Sequence, residues 1–350
     1  MMITFENKIV QEDLKKIVDS SYINFEKLRG KTVLITGVSG MLATYLAYTI
    51  YYLDVHENFQ TKIIGTARNM EKANAKFQSL SKEYFELVQH DVTQPFDYEK
   101  DIDYIIHAAS NASPKFISTD PVGIIKANTL GTMNLLELAR TKGIQNFLFL
   151  STREIYGKSI KNELTEQDYG GFDILSPRAC YPESKRMAET LLESYSVQYE
   201  IPYTVARIAH SYGPGMEINN DGRIMSDLIS NVVNHEDIIL KSEGTAERAF
   251  CYISDATTAL LTVLLNGDSG QAYNVANEDE PIQIRDLAQK LVSLLPDEKL
   301  KVTFDIPTSQ STAYSTDGRT VMDMSKIEKL GWNRLVGLDL GLKKTIESFE

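Results

Sequence analysis

Residues 31–43 read KTVLITGVSGMLA, and the fold class follows from them. KTVLITG has the pattern of a short buried strand running into a glycine turn. The apolar MLATYLAYTIYYL that follows has helical length. At the junction the spacing is G-x-x-G-x-x-A, with Gly37, Gly40 and Ala43. Gly37 permits the tight turn, Gly40 a close backbone approach to a pyrophosphate, and Ala43 close packing of helix on strand. The helix N-terminus adds amide donors and the positive end of a dipole. A glycine triplet alone is weak evidence. Between a strand and a helix it points to a bound dinucleotide.

The alternation continues outward. TKIIGTA (61–67), FELVQHD (85–91), DYIIHAA (103–109), NFLFLST (146–152) and YTVARIA (203–209) read as strands. MEKANAKFQSL, GIIKANTLGTMNLLELARTK and CYPESKRMAETLLESYSVQY read as helices between them. Such alternation implies a parallel sheet covered on both faces, and right-handed crossovers make it a doubly wound α/β Rossmann sheet. Residues 30–210 are expected to form this dinucleotide-binding domain. In residues 1–29, Ile9, Leu14, Ile17 and Val18 are spaced for a short amphipathic helix packed on the main body. Beyond residue 210 the rhythm breaks. Residues 211–350 are expected to form a smaller C-terminal α/β substrate lobe over the strand ends, with some strands free to return to the Rossmann sheet.

Bulk composition narrows the function classes. The 350 residues are 43% hydrophobic and 24% charged, an ordinary globular balance. The formal net charge of -12 gives no global basic footprint for nucleic acid. Small ligands met through local positive sites fit better. Cys180 and Cys251 have no CxxC spacing and the five histidines no HExxH, so neither a disulfide framework nor a metal site is expected. No basic segment followed by an apolar run opens the chain, and no apolar stretch reaches about 18 residues. The expectation is a cytoplasmic protein with no membrane or nucleic-acid partner.

Three places carry chemistry. The second strand ends GTARN without the acid that would hold the ribose of NAD. Arg68 stands there instead, either gripping the 2'-phosphate of NADP or as an ordinary solvated arginine. Asp91, after the third strand, is placed for the adenine edge. STREIYG (151–157) puts Thr152, Arg153 and Glu154 at the mouth of a core strand. Tyr181 and Lys185 stand four apart in a helix and share one face. A nearby ammonium and a positive nicotinamide would lower the phenol pKa from about 10. Thr152 can donate to a substrate oxygen, Lys185 can hold a ribose, and Tyr181 can take a hydroxyl proton while carbon gives hydride to the cofactor.

TGVSGMLA, the threonine of STREIYG and YPESK together resemble the extended short-chain dehydrogenase/reductase family, over nearly the whole chain after residue 30. HAASNASP (107–114), SPRACYPESKR (176–186), ARIAHSYGPGM (206–216), NNDGRIMSDLI (219–229) and ERAFCYISD (247–255) are similar to its nucleotide-sugar enzymes, above all the UDP-glucuronate decarboxylases. The resemblance implies NAD or NADP held by Ser39, Met41, Leu42, Val92, Ala108 and Ala109 besides the residues above. It implies a UDP- or dTDP-sugar met by Ser110, Lys115, Arg153, His210, Arg223 and Arg248, with Arg248 on a phosphate. It implies a homodimer through helices 125–143 and 181–199. Thr152, Glu154, Tyr181 and Lys185 are the implied catalytic set.

Two positions depart from the pattern. The family often has Asn where this chain has His210. Its 4,6-dehydratases read T-D-E and its decarboxylases T-S-E, where this chain reads T-R-E. Arginine, with a pKa above about 12, is a poor general acid, which lowers the dehydratase reading. Arg153 is placed to bind a sugar carboxylate or to stabilise an enolate, or else pairs with Glu154 or points to solvent. Decarboxylation leads, 4-epimerisation and 4,6-dehydration follow, and a non-catalytic cofactor-binding protein is the reading from another class.

Overall fold

The computed structural model describes residues 3–219, 221–306 and 319–350. Asn220 of the NNDGRIMSDLI segment and residues 307–318 of the expected C-terminal lobe lie outside them. Helices in chain order are α1 (Lys8–Val18), α2 (Met41–Glu57), α3 (Met70–Phe77), α4 (Pro114–Thr119), α5 (Pro121–Lys142), α6 (Cys180–Tyr199), α7 (Ile224–Val233), α8 (Ile253–Asn266), α9 (Ile284–Ser293), α10 (Ser325–Glu328) and α11 (Leu338–Glu347). The first seven strands are β1 (Thr32–Thr36), β2 (Lys62–Ala67), β3 (Phe85–Gln89), β4 (Tyr104–His107), β5 (Asn146–Thr152), the short β6 (Glu163–Leu164) and β7 (Tyr203–Ile208).

The main sheet has the order β3-β2-β1-β4-β5-β7 and then Gln271–Val275, all parallel. The order reverses between β1 and β4, as a doubly wound sheet requires. The six expected sheet strands are present, shorter at their ends by up to two residues. The seventh comes from beyond residue 210: Gln271–Val275 pairs with β7 along its whole length.

Side chains alternate between two cores, as the pleat dictates. Val33 and Ile35 of β1 enter the core shared with α2 and α8, whereas Leu34 enters the one shared with Leu135 and Leu136 of α5 and Leu192 of α6. α2 is buried nearly all round. Its outer face is covered by α1, whose Val10, Leu14 and Ile17 point inward. α1 also carries a buried acid. Asp13 accepts from Lys344 Nζ of α11 at 2.6 Å, from Tyr252 Oη at 2.7 Å and from Tyr45 Oη of α2 at 3.2 Å. The two ends of the chain are thereby joined through one carboxylate.

Candidate active site

The strand order reverses beside β1, and doubly wound sheets bind ligands in the crevice outside such strand ends. Gly37 follows β1 with φ at 63°. A Cβ there would come within 2.7 Å of Ala109 Cα, so only glycine fits, on both conformational and steric grounds. Thr36 Oγ1 lies 2.8 Å from His107 Nδ1 and accepts from the Ala109 amide at 3.3 Å, which ties the two strand ends together. Gly40 caps α2 with no side-chain bond, so the cap takes up none of the amides of the first turn, where Met41 and Leu42 begin the helix. Ala43 is buried, as its packing role predicts.

Beneath this turn lies a residue that sequence reasoning missed. Lys76 of α3 is buried and donates from Nζ to the Ser39 carbonyl at 2.8 Å and to Thr44 Oγ1 at 3.4 Å. Burial pushes its pKa down to about 8. The available signal was its place beside Ala73 and Phe77 on the inner face of α3.

Arg68 and Asp91 follow the neighbouring strands β2 and β3. Arg68 is exposed. Asp91 accepts from the Thr93 amide at 3.0 Å and hydroxyl at 2.9 Å. The Thr93 amide foremost, then its hydroxyl and the Arg68 charge, hold that carboxyl below its usual range. Val92 next to it is buried. After β4 come Ala108, Ala109 and Ser110. The Ser110 and Ser113 hydroxyls are out of water and have no hydrogen-bond partner, a state that calls for one. Lys115 lies exposed on α4.

The reaction chemistry gathers at the end of β5. Thr152 is buried, and its Oγ1 accepts from the Glu154 amide at 3.2 Å, capping the turn Arg153–Tyr156. Tyr181 and Lys185 sit one turn apart on the buried face of α6, with Tyr181 in hydrogen-bond contact with Thr152. Lys185 Nζ donates to the Leu150 carbonyl at 2.6 Å and stands 4.5 Å from the Phe149 ring centre. Burial pushes the Lys185 pKa down to about 7.

Burial, then the Glu154 charge, pushes the Tyr181 phenol up to about 12. The Thr152 hydrogen bond, Arg223 and Arg178 act the other way. The expected lowering of this phenol joined the neighbouring ammonium to a positive nicotinamide. In the protein alone desolvation outweighs the nearby cations, and Lys185 commits its ammonium to a carbonyl.

A correction concerns STREIYG. Arg153 does not pair with Glu154. Arg178 Nη2 donates to both Glu154 oxygens, at 3.0 and 2.9 Å. Arg153 Nη1 stands 3.0 Å from His210 Nε2. Arg178 sits within the quoted SPRACYPESKR, but nothing in the sequence alone sets it against Glu154. Tyr156 of the same stretch is structural, bonded to Asn274 on the seventh strand.

His210 follows β7 with φ at 41°. Its side chain is exposed, yet loss of hydration foremost, then the charges of Arg153 and Arg248, lowers its pKa, so the imidazole is neutral near pH 7. Arg248 bonds the Glu247 carbonyl at 2.7 Å. Arg223, at the start of α7, pairs with the buried Asp221. The structure thus gathers Thr152, Glu154, Tyr181 and Lys185 with Arg178 and Arg223, and Arg153 with His210 and Arg248. Arg68 stays with Asp91, three strands away from β5.

Residues 33–276 match the family model described as the NAD dependent epimerase/dehydratase family. The chain belongs to this family. Among its relatives, UDP-glucuronic acid decarboxylase 6 of Arabidopsis thaliana is 34% identical over 324 residues, covering 91% of this chain and 88% of the relative. UDP-glucuronic acid decarboxylase 1 of Xenopus tropicalis is also 34% identical, over 91% of this chain and 72% of its own. In fold, an epimerase from Methanothermobacter thermautotrophicus superposes with a TM-score of 0.76 at 18% identity, over 98% of this chain and 96% of its own. The UDP-glucose 4-epimerase of Thermotoga maritima does so at 0.73 and 20%, over 91% and 98%. For a family named for NAD, the glycine turn and the bare α2 N-terminus fit a dinucleotide.

Proposed function

We propose that this protein converts a nucleotide sugar through transient oxidation of C4 by bound NAD, and that its reaction is decarboxylation of UDP-glucuronate. The observation that carries this reading is Thr152, Tyr181 and Lys185 gathered at the end of β5, on the sheet edge that also holds the glycine turn. When bound, NAD supplies the hydride acceptor and a positive charge that favours the phenolate. Thr152 orients the sugar hydroxyl, Tyr181 takes its proton, and Lys185 holds the ribose side of the site. The C4 ketone leaves the C6 carboxylate β to a carbonyl, so the C5–C6 bond breaks with loss of CO2, its electron pair passes into a C4–C5 enolate, and a proton from solvent at C5 regenerates the C4 ketone. Return of the hydride to C4 and of the proton from Tyr181 restores the enzyme. Ser110, Lys115, Arg223 and Arg248 are assigned to the nucleotide sugar, Arg248 to a phosphate.

Incubation with UDP-glucuronate and NAD, read by mass spectrometry, should show loss of 44 mass units of CO2, a figure of about that size fixed by the atoms released. An unchanged mass from folded, NAD-loaded protein rejects this substrate and passes the test to UDP- and dTDP-hexoses for epimerisation. Dehydration ranks last, because the position that would need a general acid holds Arg153 against His210.

Two finer readings accompany this one. A second copy of the chain is assigned to the face of α5 and α6, where Val122, Ile125, Leu130, Met133 and Met187 are exposed. Sedimentation should give a dimer, and Met133→Glu a monomer. The protein is assigned to the cytoplasm, where Cys180 and Cys251 would remain free thiols, and cell fractionation tests this.

A further inference from the structure

The two departures from the family pattern, Arg153 and His210, touch each other. They are 57 residues apart in sequence and follow the ends of adjacent strands, β5 and β7, whose register sets Thr152 against Ile208. We propose that Arg153 and His210 form one specificity element, in which the imidazole holds the guanidinium as a reader of an anionic group on the sugar. The proposal rests on the reading of this cleft as a nucleotide-sugar site, and it names the sugar class as a uronic acid.

The argument starts from donors and acceptors. A guanidinium has five N–H donors and no acceptor. A contact of 3.0 Å from Arg153 Nη1 to His210 Nε2 therefore makes Nε2 the acceptor and leaves the imidazole proton on Nδ1. The Arg153 contact itself, with the Arg248 charge, opposes protonation of His210 and preserves that acceptor near pH 7. One arm of the fork is held, and the other N–H groups remain for a planar two-oxygen partner. Glu154, the adjacent carboxylate, is already engaged by Arg178. The turn from Thr152 fixes where the Arg153 backbone starts, one residue from a side chain in contact with Tyr181.

Position 210 has a backbone requirement as well. At φ 41° it favours residues that tolerate the left-handed region, among which Asn and His are enriched. An Asn amide oxygen is also an acceptor, but on a shorter side chain. The exchange of Asn for His therefore keeps the backbone and extends the acceptor toward Arg153. His210 is a positioning residue here, and Arg153 is the one that meets the ligand.

A strong hold on a carboxylate that must leave does not speed its loss. The element accordingly acts in selection, and its measure is binding. The experiment is calorimetric titration of the NAD-loaded protein with UDP-glucuronate, UDP-glucose and UDP, for wild type, Arg153→Ser, Arg153→Lys, His210→Ala, His210→Asn and Arg153→Ser with His210→Ala. The wild type should prefer UDP-glucuronate over UDP-glucose. Arg153→Ser should cut that preference roughly ten- to hundredfold, as expected for a charge-assisted hydrogen-bond pair, while binding of UDP stays within about twofold. Arg153→Lys should recover only part of it, having charge without the fork. His210→Ala should lower the preference less, His210→Asn should restore some, and in the Arg153→Ser background His210→Ala should change nothing further.

Equal preference in wild type and Arg153→Ser overturns the proposal, whether or not UDP-glucuronate is decarboxylated. So does full additivity of the two substitutions. An Arg153-dependent preference for UDP-glucuronate without CO2 release keeps the proposal and removes the decarboxylase reading. Should Arg153→Ser fail to fold, the Arg153→Lys and His210→Ala titrations decide alone.

Discussion

Two buried polar clusters in this molecule differ in one respect. Around Asp13, a carboxylate meets an ammonium and two phenols, and each has a protein partner. Around Tyr181, a phenol, a hydroxyl and an ammonium gather beside Glu154, whose carboxylate is taken up by Arg178 rather than by that ammonium, and the Ser110 hydroxyl that follows β4 has no partner. The first cluster is complete and holds helices together. The second lacks partners that a ligand would supply. Burial alone does not separate structure from function here, since Asp13, Lys344, Tyr181 and Lys185 are all buried. Completion does.

The largest expected effect tests the open cluster. Tyr181→Phe should lower turnover by about 10²–10⁴-fold, as loss of an acid–base group does, while the unfolding midpoint stays near wild type. A large drop in the midpoint would make Tyr181 part of the scaffold and erase the contrast. The closed cluster should respond in the opposite way. Asp13→Asn takes the buried carboxylate at 2.6 Å from the Lys344 ammonium, leaving it only the half-exposed Glu12 at 3.5 Å, and should destabilise the protein by up to roughly 3 kcal/mol in urea unfolding. NAD affinity extrapolated to the folded fraction should be little changed.

Gly37→Ala sharpens the picture at the cofactor end. Positive φ and the approach to the Ala109 backbone both oppose it, so a cost of about 1–3 kcal/mol is expected. Weaker NAD binding, measured by fluorescence titration, should accompany it. The smallest effect is a pH slope. The folded pKa of Lys185, about 7, lies below its unfolded value. Between those values the unfolded chain binds the extra proton, so this group's penalty on folding is full below pH 7 and fades as pH rises. Cofactor-free wild type should gain stability relative to Lys185→Met from pH 7 to 9, by up to about 1.4 kcal/mol per unit. A flat difference would mean that the ammonium is compensated and the cluster is closed.

Most of the sheet was legible because each strand is an apolar run bounded by turn residues, as in KTVLITG and NFLFL. The glycine turn and the Tyr181–Lys185 spacing were legible for a similar reason: both are local, within one turn or one helix. What the sequence hid is long-range. QAYNV carries too few apolar residues to announce a sheet strand, and its place is set by pairing with β7. The Asp13–Lys344 contact spans 331 positions and the Arg153–His210 contact 57. Arg178 and Lys76 were visible as residues, but their partners were not. The sequence shows the charges near the Tyr181 phenol but not the depth of burial that opposes them in the protein alone.

The strand Gln271–Val275 has a consequence for how the chain can be cut. The segment from 209 to 270 leaves the main sheet at the end of β7 and returns beside the same strand, so both its ends are sewn to one seam. A fragment ended at residue 210 would expose Tyr203–Ile208 as a bare edge, a template for aggregation rather than a soluble cofactor module. On the ribosome the same edge waits for about sixty further residues before its partner emerges. Split reporters and limited-proteolysis fragments of this protein should therefore be sought after residue 276, not at the point where the regular alternation stops.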